Sequence, residues 1–193
     1  MKKYCCTFLF ILITVAAQSQ QRAPITFGIK SGIALSKGDV EVIDSAYNFS
    51  SSGKTGIILG VFLDKIITQK FNFQLALQYV RKGYKENSFG YEYNNPISYL
   101  EFPLNILYAL PSKNNRYYIG AGVSPALKLN NYAFRDEIKD VDLGLNIITG
   151  FMIPIGFSFN LGYTKGLQNV SKNKDFIRKI ENGYYSITVG YEF

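Results

Sequence analysis

The sequence contains no histidine and no tryptophan, and only two of its 193 residues are cysteine. Without imidazole the serine–histidine and cysteine–histidine hydrolases, the aspartate–histidine proteases and most zinc enzymes are excluded, because histidine is their usual proton shuttle or ligand. Charge is also scarce, at 18% of residues, which rules against a disordered tail protein. Sustained helical periodicity is missing too; only Asp175 to Ile180 hints at three- and four-residue steps. What the chain does have is fifteen Tyr, fifteen Phe and seventeen Gly, the composition of many strands separated by turns. Its length suits one domain preceded by a processed segment.

That segment is the amino terminus. Lys2 and Lys3 precede a nearly unbroken apolar run from Tyr4 to Ala17, followed by Gln18-Ser19-Gln20-Gln21. The run is shorter than the roughly 20 residues a membrane-spanning helix needs, and its flanks are those of a secretory signal peptide. Ala17-Gln18-Ser19 gives the small-x-small cleavage site, so residues 1–19 are expected to be removed and residues 20–193 to form the mature domain. Cys5 and Cys6 sit inside the apolar run rather than after a lipoprotein box, so lipidation is not expected. Cleavage would remove both, leaving no disulfide or thiol chemistry. Loss of Lys2 and Lys3 leaves a modest basic excess that suits solvated loops. No basic helix or aromatic-basic motif points to nucleic acid.

Beyond residue 24 the dominant period is two. Eight segments alternate: Ile25–Lys30, Ile57–Asp64, Phe71–Tyr79, Tyr99–Tyr108, Tyr117–Ser124, Val141–Ile148, Ile155–Thr164 and Tyr185–Phe193. The connections alternate as well. Long ones (about Ser36–Gly53, Gly83–Pro96, Asn130–Asp140 and Lys165–Gly183) take turns with short ones (Lys65–Lys70, Pro111–Asn115 and Met152–Pro154). Short turns on one side and long loops on the other describe an outer-membrane barrel with both termini periplasmic. The expected fold is therefore all-β, an eight-stranded antiparallel up-and-down transmembrane β-barrel. Ten residues at about 3.3 Å each, tilted by roughly 45°, rise about 23 Å, close to the apolar band of about 25 Å.

Soluble ligand-binding barrels can also have eight strands, so the faces decide the class. Water outside would require Lys, Glu and Asp on one face of the strands. Instead one face is Leu, Ile, Val, Phe and Tyr, and the other is Gly, Ala, Ser, Thr and Asn with a few charges. Small residues suit a narrow interior, and the apolar face then meets lipid. Tyr79, Tyr108, Tyr117 and Tyr163, with Tyr191, fall toward strand ends, where amphipathic rings prefer the interface. Pro103 interrupts the fourth segment and can donate no ladder bond, so a bulge or a water-satisfied carbonyl is expected beside it.

By parity Lys30, Glu101, Lys128, Asp142 and Glu192 point inward. Buried charges usually pair with one another, since an unpartnered one is costly; the functional alternative is a polar plug or gated small-solute path. Gly53-Lys54-Thr55 copies the tail of a phosphate-binding loop, but Asn48 stands where the pattern needs glycine and Ile57 begins a strand, so chance explains it. Tyr91 and Tyr93 are expected in a loop tip, where tyrosines beside Asn offer an adaptable contact surface. Lys172 and Lys174 belong to a basic loop that could pair with lipopolysaccharide phosphates.

Short motifs tie the chain to a family. Tyr99-Leu100-Glu101-Phe102-Pro103-Leu104 resembles the Tyr-Leu-Glu-Ile-Pro-Leu signature of the PorT-like outer-membrane β-barrel family of Bacteroidota. Tyr118-Ile119-Gly120-Ala121-Gly122 resembles that family's glycine-rich following strand, and Asp142-Leu143-Gly144 its Asp-x-Gly strand. The ending Tyr191-Glu192-Phe193 resembles the aromatic terminus by which such barrels are recognised for assembly. The resemblance implies the fold throughout residues 22–193, and a barrel-assembly role for Tyr191 and Phe193. Its founding member is associated with gliding and type IX secretion, and it brings no catalytic residues.

The leading expectation is a non-enzymatic outer-membrane barrel without cofactor. It would act through loops or periplasmic turns in envelope structure, adhesion or secretion. Its partners would be outer-membrane lipid and lipopolysaccharide, the barrel-assembly machinery, and a secretion or surface protein. The alternatives are a PorT-like secretion component, a small-solute channel and a soluble periplasmic ligand-binding barrel.

Overall fold

The computed structural model describes residues 25–42, 50–88, 91–112, 114–129, 140–167 and 177–193. They form nine strand segments: β1 (Ile25–Val42), β2 (Ser50–Ile66), β3 (Phe71–Ser88), β4 (Tyr91–Glu101), β5 (Leu104–Leu110), β6 (Arg116–Lys128), β7 (Val141–Met152), β8 (Phe157–Gly166) and β9 (Ile177–Glu192). Chain neighbours other than β4 and β5 pair antiparallel, and β1 pairs with β9 from Gly28↔Glu192 to Val42↔Ile177, which closes the sheet. β4 and β5 both lie between β3 and β6 and make one interrupted stave, so the barrel is eight-stranded. Closure leaves no open edge in hydrocarbon, where an unpaired amide costs several kcal/mol.

The interruption is at Phe102-Pro103. The pairing of Leu75 with Leu104 and of Gln78 with Glu101 keeps one register on both sides of it, so the expected bulge is absent there. Ala76 N still donates to Pro103 O at 2.9 Å, and Phe102 N to Pro125 O at 2.8 Å. Each of these bonds would ordinarily be returned by its partner in an antiparallel ladder. Pro103 and Pro125 have no N–H to return them, so the stave breaks without slipping. The register shift in this part of the sheet lies instead between Gly53 and Ile58, against β3.

Alternation decides the faces. Phe27, Ile147 and Leu161 are 57–59% exposed on the outside. Their neighbours along the chain, such as Gly28, Asn146 and Gly162, face the lumen side. A large inward residue needs a small one beside it: a methyl group on Gly28 would fall 2.2 Å from the Phe62 ring. The short β7–β8 connection turns at Gly156, whose φ of 92° is the left-handed region that glycine adopts freely.

Several strands run further than the sequence pattern implies. β1 and β3 have 18 residues each and β9 has 16, whereas β8 has 10. At about 3.3 Å per residue and roughly 45° of tilt, 18 residues rise about 42 Å, well beyond the apolar band. Much of what reads as long loop is thus strand. Tyr91 and Tyr93 lie in β4, paired with Ser88 and Glu86 at the outer end of the β3–β4 hairpin. Tyr79 is mid-strand in β3 rather than near its end. Such segments mix Gly, Asn and charge, so hydrophobic alternation fades while the backbone ladder continues. Lys172 and Lys174 lie outside the described residues, as does the expected signal segment.

Candidate functional site

The lumen is filled in layers. At its short-turn end Arg116, the first residue of β6, reaches Asp64 Oδ2 on β2 at 3.0 Å and Glu192 Oε2 on β9 at 3.6 Å. The same two residues, Arg116 and Glu192, edge an open cleft of about 380 Å³ at that mouth. Above them Tyr118 on β6 donates to Asn160 Oδ1 on β8. Asn146 Nδ2 donates to Asn105 Oδ1 at 2.7 Å, linking β7 to β5. Lys30 lines a small interior cavity with Asp64, Gln74 and Thr188. That cavity measures about 20 Å³, room for about one water and too little for a solute. From it Lys30 faces both Asp64 and Glu101 electrostatically.

Glu101 is the hub of the next layer and is wholly buried. Its Oε1 meets Lys82 Nζ on β3, while Oε2 accepts from Gln78 Nε2 at 2.9 Å and from Tyr184 Oη at 2.6 Å. Lys82 Nζ also stands 4.9 Å from the Tyr99 ring centroid and 4.6 Å from that of Tyr184. Ammonium, carboxylate and aromatic faces thus satisfy one another across three strands. Directly beside them Ala34, Ile58, Val80 and Tyr184 form an apolar cluster, with Ile97 and Tyr99 also buried. Ile58, Val80 and Ile97 are no more than 1% exposed, so the lumen is closed at this level.

Toward the loop end Lys128 Nζ reaches Asp140 Oδ1 at 3.1 Å. Asp142, also buried, accepts from Leu143 N at 2.8 Å. Of the five inward charges read from parity, Glu192 lies with Arg116 and Asp64, Glu101 with Lys82 and Tyr184, Lys30 beside Asp64, and Lys128 with Asp140. Glu101 and Glu192 each have partners that the sequence reading did not single out: Lys82 and Tyr184 for one, and for the other Arg116, which it shares with Asp64. Asp64 was legible by parity. Lys82 and Arg116 fell just past the ends assigned to their strands.

The outer surface carries aromatic groups at two heights. Phe71–Tyr108, Tyr117–Phe151–Phe159 and Phe157–Tyr191–Phe193 stack or meet edge to face near the short turns, with centroids 5.0–5.9 Å apart. Phe193 N also donates to Phe27 O, fastening the last residue to β1. Tyr163 and Tyr185 form a higher pair, 4.7 Å apart. Tyr79, at similar height, hydrogen-bonds the Ser98 hydroxyl at 2.8 Å.

A closed sheet with this exterior belongs with known membrane barrels, and the family description "outer membrane protein beta-barrel domain" matches residues 6–193. The chain belongs to that family. OprG of Pseudomonas aeruginosa shares the fold at a TM-score of 0.56 and 16% identity, over 87% of this chain and 95% of that one. Neisserial surface protein A aligns at 0.49 and 17%, over 86% and 97%. The outer membrane enzyme PagL aligns at 0.49 and 11%, over 85% and 98%. At such identities likeness speaks to fold alone. No curated protein sequence matches the chain. As a family member it is an outer-membrane protein whose apolar exterior faces lipid.

Proposed function

We propose that this barrel is a non-enzymatic outer-membrane component with both termini in the periplasm. It works through its loop end or its turns in envelope structure, adhesion or secretion. The observation that carries this reading is the combination of an apolar exterior with a lumen closed by Ile58, Val80, Ile97 and the Lys82–Glu101 pair. A closed lumen speaks against a small-solute channel, and an apolar exterior against a soluble barrel. The lack of histidine supports the absence of the usual hydrolytic chemistry. Short turns at the end where both described termini lie support the periplasmic orientation. Outer-leaflet lipid and the assembly machinery are its general partners, the latter through Tyr191 and Phe193. Membrane fractionation with gel migration before and after boiling tests the reading. Outer-membrane recovery with a heat-dependent mobility shift is expected; a soluble protein without a shift would overturn it.

A PorT-like place in type IX secretion is the second reading. It is favoured by the Tyr99–Leu104 signature, which contains both the buried Glu101 hub and the Pro103 break. Deleting the gene should then abolish secreted enzymes and surface spreading. Intact secretion would remove this reading and leave the first standing.

A further inference from the structure

The exposed charged side chains among the described residues fall at the two ends of the barrel and leave the band between free of charge. Lys65 and Lys70 are at the short-turn end, and Arg81, Asp140 and Lys165 toward the loops. Asp140 is held by Lys128. We propose that Arg81 and Lys165 bind the phosphorylated headgroups of outer-leaflet lipid and mark the height at which the barrel leaves the membrane. This rests on the outer-membrane reading above.

Spacing carries the inference. Arg81 lies one outward step beyond Tyr79, and Lys165 one outward step beyond Tyr163. Ten residues separate exposed Phe71 from Arg81 along β3, and eight separate exposed Phe157 from Lys165 along β8. At about 3.3 Å per residue and roughly 45° of tilt these rise about 23 Å and about 19 Å, near a band of about 25 Å. Two strands on different sides of the barrel thus place a cation at one height, each above a tyrosine suited to the interface. An ammonium or guanidinium there meets phosphate oxygens by charge-assisted hydrogen bonds.

Inside the barrel, the apolar cluster of Ala34, Ile58, Val80 and Tyr184 lies at this level.

The test folds wild type, R81Q/K165Q and K65Q/K70Q into zwitterionic micelles. The temperature at which the compact gel band is lost is then read with and without phosphatidic acid. Wild type should gain several degrees from phosphatidic acid. R81Q/K165Q should lose more than half of that gain, while K65Q/K70Q keeps most of it. Inorganic phosphate at the same concentration should leave wild type unchanged. Equal losses in both double variants, no gain in wild type, or the same gain from free phosphate would each overturn the headgroup site while the barrel stands. A wild type with no heat-shifted band at all would sink the membrane barrel itself, and the headgroup site with it.

Discussion

Tyr184 on β9 donates a 2.6 Å hydrogen bond to Glu101 on β4, across the lumen. That bond and the Lys82 contact tie β9, β4 and β3 together where no ladder joins β9 to β4. The tie stiffens the barrel's cross-section as well as neutralising a carboxylate that water does not reach.

Removing one member of that group leaves a buried charge without its partner. Lys82→Ala should therefore destabilise the barrel by about 3–5 kcal/mol. Replacing Lys82 with Met and Glu101 with Gln together should cost clearly less than Lys82→Ala alone. Urea unfolding in lipid vesicles measures both; equal losses would mean that the pair contributes packing rather than charge compensation.

The same layer predicts a silent channel. With Ile58, Val80 and Ile97 closing the lumen and a cavity of only about 20 Å³ below, planar-bilayer recordings should show no stable open level. A reproducible conductance from wild type would contradict that closure.

Gly28 and Phe62 should behave as a coupled pair. Gly28→Ala forces a methyl group into the Phe62 ring, an overpacking that costs about 1–3 kcal/mol. Adding Phe62→Leu should return part of the loss, because the offending ring is gone. A double-variant cycle on thermal loss of the compact gel form measures it; strict additivity would mean the two do not meet.

These effects show what alternation alone conveys. Which residues face out was legible in the apolar strands, because a two-residue period survives wherever one face meets lipid. The eight-strand count was legible for the same reason. Strand length was not: beyond the band neither face is uniformly apolar, so β3 reads as ending at Tyr79 although its ladder continues to Ser88. Lys82 was missed for that reason. Pairing was hidden as well, since Glu101 meets Lys82 and Tyr184 only once the register is known. Pro103 was visible as a misfit. The structure shows that the missing donors of Pro103 and Pro125 interrupt the stave while its register is kept.

Gly156 makes the β7–β8 turn possible. Gly156→Ala should cost about 1–2 kcal/mol from its positive φ alone. Its added methyl would also approach the Glu192 carbonyl to 2.6 Å. Equilibrium urea unfolding in vesicles checks this, and an unchanged midpoint would mean that the turn relaxes to another form.

The central claim, that the apolar face lies in lipid, can be measured at Ile147, which is 59% exposed in the middle of β7. The chain has no tryptophan, so Ile147→Trp supplies a single indole. In vesicles its emission should be blue-shifted, strongly quenched by lipids brominated along the acyl chain and little affected by aqueous acrylamide. Red-shifted emission quenched by acrylamide and indifferent to brominated lipid would contradict the account.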